Sequence, residues 1–148
     1  MSRGRLVVPD VNVWLATVSE AHPSHASATR WWRERALPSG LRVAFCRLTQ
    51  LGLLRLLTNG AVMGAQRRTT AQAWSDYQAA LTQDAVCFAS EPPRLDEVLG
   101  SLCTPRRSST DFWTDAYLAA FAMAAEATLV TFDGGFEGIT GLDALVLT

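Results

Sequence analysis

The stretch Leu6-Val-Val-Pro-Asp10-Val-Asn-Val-Trp-Leu15 sets a short apolar, β-branched run directly against an acid and then resumes an apolar pattern at helical spacing. That pattern predicts a buried strand ending on Asp10 and a helix beginning there. A carboxylate is thereby placed at the carboxyl end of a first strand, the edge of an open α/β sheet where ligands and catalytic groups collect. A helix cap accounts for Asp10 equally well, because Asp is a favoured N-cap residue. The choice turns on whether other acids arrive at the same edge.

Thr128-Leu-Val-Thr-Phe132 repeats the arrangement, with Asp133 at the end of a predicted strand and Gly134-Gly135 letting the backbone leave sharply. The segment Thr110 to Ala125 is the strongest helix in the chain by its Ala, Leu and Met content, and Asp111 and Asp115 project from one face of it. Asp111 is expected in the first turn, where the helix dipole favours an acid. Asp115 is expected a turn deeper, on the buried side of an apolar helix, where an acid needs a cation or a partner. Carboxylates of Asp10, Asp115 and Asp133 brought together would repel strongly, so such a cluster implies a divalent cation. Oxygen-only ligands favour Mg²⁺ or Mn²⁺ over zinc or copper, and an activated water attacking a phosphodiester is the matching chemistry.

The intervening chain alternates helices and strands. Val11 to about Glu20 reads as a helix, and Pro23 opens another that runs to Arg35. His22 and His25 flank that start and are expected to face solvent; Trp31 and Trp32 cannot both face one core. Leu41 to Phe45 reads as a strand. Leu48 to Gly60 reads as a helix with Thr49 as its N-cap, Gln50 at the same sheet edge as Asp10, and Asn59-Gly60 as its stop. A loop to Arg68, a helix capped by Thr69 or Thr70, a strand over Ala85 to Ala89, a short helix from Arg94 to about Leu102 and a last strand over Leu142 to Leu147 complete the pattern. About five strands alternating with helices predict a three-layer α/β/α fold around a central, mostly parallel sheet.

With 148 residues, 49% of them hydrophobic, residues 1–148 are expected to form one domain with a core of ordinary size. No apolar run reaches the ~20 residues that a bilayer requires, and the N-terminal run is too short for a signal peptide, so a cytoplasmic location is expected. Cys46, Cys87 and Cys103 lack metal-binding spacing and are expected to be buried free thiols. The net charge is −1, but between Ala36 and Ser75 there is no Asp or Glu while Arg42, Arg47, Arg55, Arg67 and Arg68 all fall there. With Arg106 and Arg107 in a polar loop, Arg47, Arg55, Arg67 and Arg68 become candidate phosphate contacts for a nucleic acid. The chain has no Lys, which argues against a receiver-type phosphoryl site, and no G-x-G-x-x-G follows the first strand, which argues against dinucleotide binding.

Four motifs in order, Leu6-Val-Val-Pro-Asp10-Val-Asn12-Val, Leu48-Thr-Gln-Leu-Gly-Leu-Leu-Arg-Leu-Leu-Thr-Asn59, Thr114-Asp115-Ala-Tyr-Leu-Ala-Ala and Leu129-Val-Thr131-Phe-Asp133, resemble the PIN-domain ribonucleases of the VapC toxin type across essentially the whole chain. The resemblance implies a Mg²⁺- or Mn²⁺-dependent endoribonuclease, commonly a homodimer, that acts on RNA and is restrained by a small cognate antitoxin. Asp10, Asp115 and Asp133 match acids of that family, Thr131 matches a hydroxyl residue beside the metal cluster, and Asn12 lies next to the first acid. Where the family usually places a Glu, this chain has Gln50. A neutral amide removes one charge and should weaken any second cation site, with Asp111 the possible substitute from the facing helix. The alternative is a PIN-like RNA- or protein-binding module with weak or no cleavage.

Overall fold

In the computed structural model, residues 4–103 and 111–148 are described, so Arg106 and Arg107 lie outside the described residues. The strands β1 (Leu6–Pro9), β2 (Arg42–Phe45), β3 (Val86–Phe88), β4 (Thr128–Thr131) and β5 (Ala144–Val146) form one sheet in the order β3-β2-β1-β4-β5. Every pairing is parallel, where a mostly parallel sheet is the expectation. The central strands are buried on both faces, as all-apolar runs such as Val7-Val8 and Leu129-Val130 require. From β1 the chain builds outward through β2 and β3, then crosses to β4 on the other side. The crevice outside the carboxyl ends of β1 and β4 is therefore the topological switch point.

Helices cover both faces. On one, α1 (Val11–Val18), α2 (His25–Trp31), α3 (Arg47–Leu57), the single turn α4 (Gly60–Met63) and α5 (Thr70–Leu81) surround a core that includes Trp14, Phe45, Leu53 and Tyr77. Trp14 stacks on Phe45 with centroids 3.8 Å apart, and Tyr77 meets Phe45 edge-on at 4.9 Å. On the other face, α6 (Leu95–Ser101) and α7 (Phe112–Ala124) pack Leu95, Leu118 and Phe121 against Val8 and Leu129. No helix among the described residues is long and apolar enough to cross a membrane.

Several local expectations are corrected. The cap of α3 is Cys46 rather than Thr49: the helix starts as soon as β2 ends, and the Thr49 hydroxyl, three residues in, accepts from the Cys46 N–H at 3.0 Å. Asn59-Gly60 both stops α3 and restarts the chain, because the Asn59 side chain accepts from the Ala61 N–H and caps α4 where a loop is expected. His22 and His25 are half-buried, not solvent-facing. His22 Nδ1 accepts from the Ser24 N–H, and His25 Nδ1 lies 2.7 Å from the Ala16 carbonyl, so the pair ties the start of α2 to α1. Trp31 and Trp32 do face one core: Trp31 is buried in it, and Trp32, half-buried with its indole N–H on Thr17, packs against the same cluster. The cysteines are free, yet only Cys46 is buried; Cys103 is exposed.

The close approach of α1 to α3 seats Val11, the residue after Asp10. A Cβ on Gly52 would stand 2.6 Å from Val11 Cγ2. Valine is stiff about χ1 and cannot swing clear. Gly52→Ala is therefore expected to destabilise the chain by about 1–3 kcal/mol, and adding Val11→Ala should recover much of that loss. Urea unfolding of the two single variants and the double variant checks it; purely additive losses would show that the two helices do not touch here.

Candidate active site

Asp10 leaves β1 with its backbone N–H bonded to the Val130 carbonyl at 2.7 Å, which ties it to β4. Its Oδ1 accepts from the Val11 N–H at 2.7 Å, so the capping role is real. Its other oxygen accepts from the Thr131 hydroxyl at 2.9 Å. That hydroxyl, fully buried at the end of β4, also accepts from the Asp133 N–H at 3.0 Å. One side chain thus fixes the first acid and the backbone of the last. Asp133 in turn accepts the Gly135 N–H at 2.8 Å, which turns the chain into a short 3₁₀ segment, Gly134–Gly138.

Asp115 lies in the first turn of α7 and is exposed, where a deeper, buried-side position is the expectation. The helix starts at Phe112, two residues later than Thr110, and its packing leaves the side that carries Asp115 open to solvent. Asp111 is the N-cap residue, without a side-chain cap bond, and its carbonyl accepts from the Asp115 N–H at 3.2 Å. Burial pushes the Asp10 carboxyl up; hydrogen bonds from Thr131 and Val11 oppose this and the charge of Asp133 adds to it. The Asp115 carboxyl is likewise raised, by partial burial first and then by Asp10, Asp133 and Asp111. The charge of Asp133 therefore reaches both Asp10 and Asp115. Among the described residues no group of three or more His, Cys, Asp or Glu side chains is drawn together closely enough to hold a metal ion. The side chains that the sheet ends bring to this edge, Asp10, Thr131, Asp133 and Asp115, carry only oxygen donors, the chemistry that suits Mg²⁺ or Mn²⁺.

Gln50 is buried near the start of α3, but its amide is engaged elsewhere. Arg47 Nη1 donates to Gln50 Oε1 at 2.6 Å, and the amide reaches the Tyr77 phenol, whose ionisation burial suppresses while Gln50 and Arg47 favour it. Asn12 is exposed in the first turn of α1. Of the candidate arginines among the described residues, Arg47 stands nearest the acid edge, at the start of α3. Arg55 is exposed in the last turn of that 11-residue helix. Arg67 and Arg68 follow beyond its end, roughly 16 Å further along the helix axis. Arg68 is held by Asp76 through two bonds of 2.9 and 3.1 Å. Sequence reasoning missed Tyr77, Glu91 and Tyr117. Tyr77 shares the buried face of α5 with Ala73, four residues earlier, and only that spacing could have marked it.

A model of the PIN domain matches residues 7–142. Ribonuclease VapC41 of Mycobacterium tuberculosis is 36% identical over 146 residues, covering 96% of this chain and 99% of the relative. Ribonuclease VapC33 of the same organism is 29% identical over 138 residues, 93% of this chain and 94% of the relative. Among solved structures, VapBC2 from Rickettsia felis, bound to a DNA fragment from its promoter, matches with a TM-score of 0.71 at 16% identity, over 97% of this chain and 99% of that one. Mycobacterium tuberculosis VapC20, a Sarcin-Ricin loop cleaving toxin, matches at 0.63 and 17% identity, over 92% and 98%. At such identities the structural matches establish the shared fold.

The raised carboxyls carry a stability signature. The folded chain holds protons on Asp10 and Asp115 above the ordinary value of 3.8, so this contribution to stability is full below that pH and is lost as pH rises through the raised values. In a chelating buffer near about pH 7, Asp115→Asn should melt a few degrees above the wild type, and the gain should shrink toward zero near about pH 4. Saturating Mn²⁺ should reverse the order, because an ion at 100 times its Kd stabilises the form that binds it by about 2.7 kcal/mol. Identical melting curves for both proteins in both buffers would show that these acids do not share a field.

Proposed function

The chain belongs to the PIN-domain family, and we propose that it is a Mg²⁺- or Mn²⁺-dependent endoribonuclease, the toxin of a toxin–antitoxin pair. The observation that carries this is the Thr131 hydroxyl, which joins Asp10 to the backbone of Asp133 while Asp115 feels the charge of both. Asp10, Asp115 and Asp133 would hold the cation, with Thr131 positioning Asp10, and Asp111 stands near enough to contribute. A bound divalent ion supplies the positive charge that lets these carboxylates ionise together and makes a water a competent nucleophile near neutral pH. Arg47 stands ready at the same edge to grip a phosphate.

Membership of the family suggests the rest. The substrate is RNA, the chain works as a single PIN-like domain in a cytoplasmic homodimer, and a small cognate antitoxin protein restrains it. Relatives that carry the name ribonuclease over nearly the full length of the chain support the activity. Gln50 supports a single tightly held ion, because its amide is spent on Arg47 and Tyr77 and brings no charge.

Purified protein with Mn²⁺ is expected to cut RNA, and Asp10→Asn to lower the rate by roughly 100-fold or more, the scale of losing one charge-stabilising group. Calorimetric titration of Mn²⁺ should show weakened binding for Asp115→Asn; equal binding would remove Asp115 from the site. Gln50→Glu should keep or raise Mn²⁺ affinity, and a large drop would show that the amide itself is required. If every RNA survives while being bound tightly, the chain is a PIN-like binding module instead.

A further inference from the structure

The carboxyl edge continues past the acids. Phe88 closes β3, two strands from β1, and the chain then runs through Ala89 and Ser90 to Glu91. The Arg47 guanidinium lies over the Phe88 ring, 4.7 Å from its centroid. From the opposite face of the sheet, the Tyr117 hydroxyl on α7 donates to Glu91 Oε2 at 2.8 Å. With Leu48 and Leu51 these groups line an open hollow of about 530 Å³. Neighbouring strands lie ~4.8 Å apart, so the hollow begins ~10 Å from Asp10, within reach of the base on a nucleotide whose phosphate sits at the acids.

Resting on the endoribonuclease reading above, we propose that this hollow is a nucleobase subsite that takes guanine beside the cleaved phosphodiester. Its parts are the ones a splayed-out base requires. Aromatic rings and guanidinium planes are the surfaces on which single-stranded bases stack, and here a partly exposed Phe88 carries a guanidinium over its face. Arg47 is held in place by Gln50, a neutral acceptor, and enters no ion pair among the described residues, so its charge stays available to a phosphate or a base. An apolar peptide side chain would leave both Arg47 and Glu91 unanswered.

Glu91 selects the base. An ionised carboxylate only accepts hydrogen bonds, and the Tyr117 hydroxyl pins one of its oxygens while lone pairs remain on both. Guanine alone presents two adjacent donors on its pairing edge, the ring N1–H and the exocyclic amine. Adenine and cytosine set a bare ring nitrogen beside their single amine, and uracil flanks its one N–H with two carbonyls. Each of those would turn an acceptor toward the carboxylate, an opposition that direct readout penalises by about a factor of ten or more.

The test has a binding arm and a cleavage arm. Fluorescence anisotropy of the Asp10→Asn protein would use RNA pentamers of uridine with uridine, guanosine or inosine at the centre. Guanosine should bind roughly tenfold tighter than uridine, and inosine, which lacks the exocyclic amine, should lose most of that gain. Glu91→Ala and Phe88→Ala should each erase the difference, and Tyr117→Phe should reduce it. Equal affinity for the three pentamers, or discrimination that survives Glu91→Ala, overturns the subsite. In the second arm, cuts made in random RNA with Mn²⁺ are mapped by sequencing. Wild type should show guanine at one fixed offset, and Glu91→Ala should cut without that preference. Cutting with no guanine at any fixed offset overturns the subsite alone. Guanosine discrimination in the first arm with no cutting in the second supports the subsite and overturns only the nuclease reading.

Discussion

Everything at the carboxyl edge depends on the parallel ladder between β1 and β4. Their residues are far apart in the chain, and the register that sets Pro9 opposite Val130 is what carries Asp10 to Thr131, 121 positions away. A slip of one residue would turn Thr131 to the other face of the sheet. It would also leave a buried hydroxyl unsatisfied, a cost of about 1–3 kcal/mol. Apolar residues packed on both faces of both strands hold that register. The same core that stabilises the fold therefore aligns the acids.

Capping and site-building are not rivals at this edge. Asp10 caps α1 through one oxygen and meets Thr131 through the other, while Asp133 caps the turn that follows it. Each bond to a backbone N–H fixes a carboxylate in orientation before any ligand arrives. Desolvation and mutual repulsion work against those bonds and leave Asp10 and Asp115 raised. The edge is held in a locally unfavourable electrostatic state by a core that outweighs it, a common relation between stability and function.

What could be read in the sequence was local. An apolar run ending on an acid is a one-dimensional signal, so the strands, the alternation and the positions of Asp10 and Asp133 at strand ends are legible, and with them the parallel three-layer fold. The orientation of Asp115 is not, because α7 is apolar nearly all round and only its packing decides which side opens to solvent. The cap of α3 was displaced because Cys46 has no capping preference, so the hydroxyl of Thr49 marked the helix start without marking its first residue. The basic segment shows a different failure. Its acid-free stretch ends at Ser75, and Asp76, the next residue, folds back onto Arg68. Charge segregated along the chain is partly recombined in space, and α3 carries Arg55 away from the edge while Arg47 stays at it.

Gln50 illustrates how a single departure can alter a site without dismantling it. Arg47 donates to Gln50 from three residues earlier on the same helix, and the amide also reaches Tyr77 on α5, a contact between elements that no local pattern marks. A carboxylate at this position would pair with Arg47 and cancel its charge. The amide accepts the same hydrogen bond and leaves the guanidinium fully charged above Phe88. The edge thus loses one negative charge near the acids and keeps one positive charge beside them. By Coulomb's law alone, the pull of this edge on a cation is weaker, and its pull on an anion stronger, than with a carboxylate at this position.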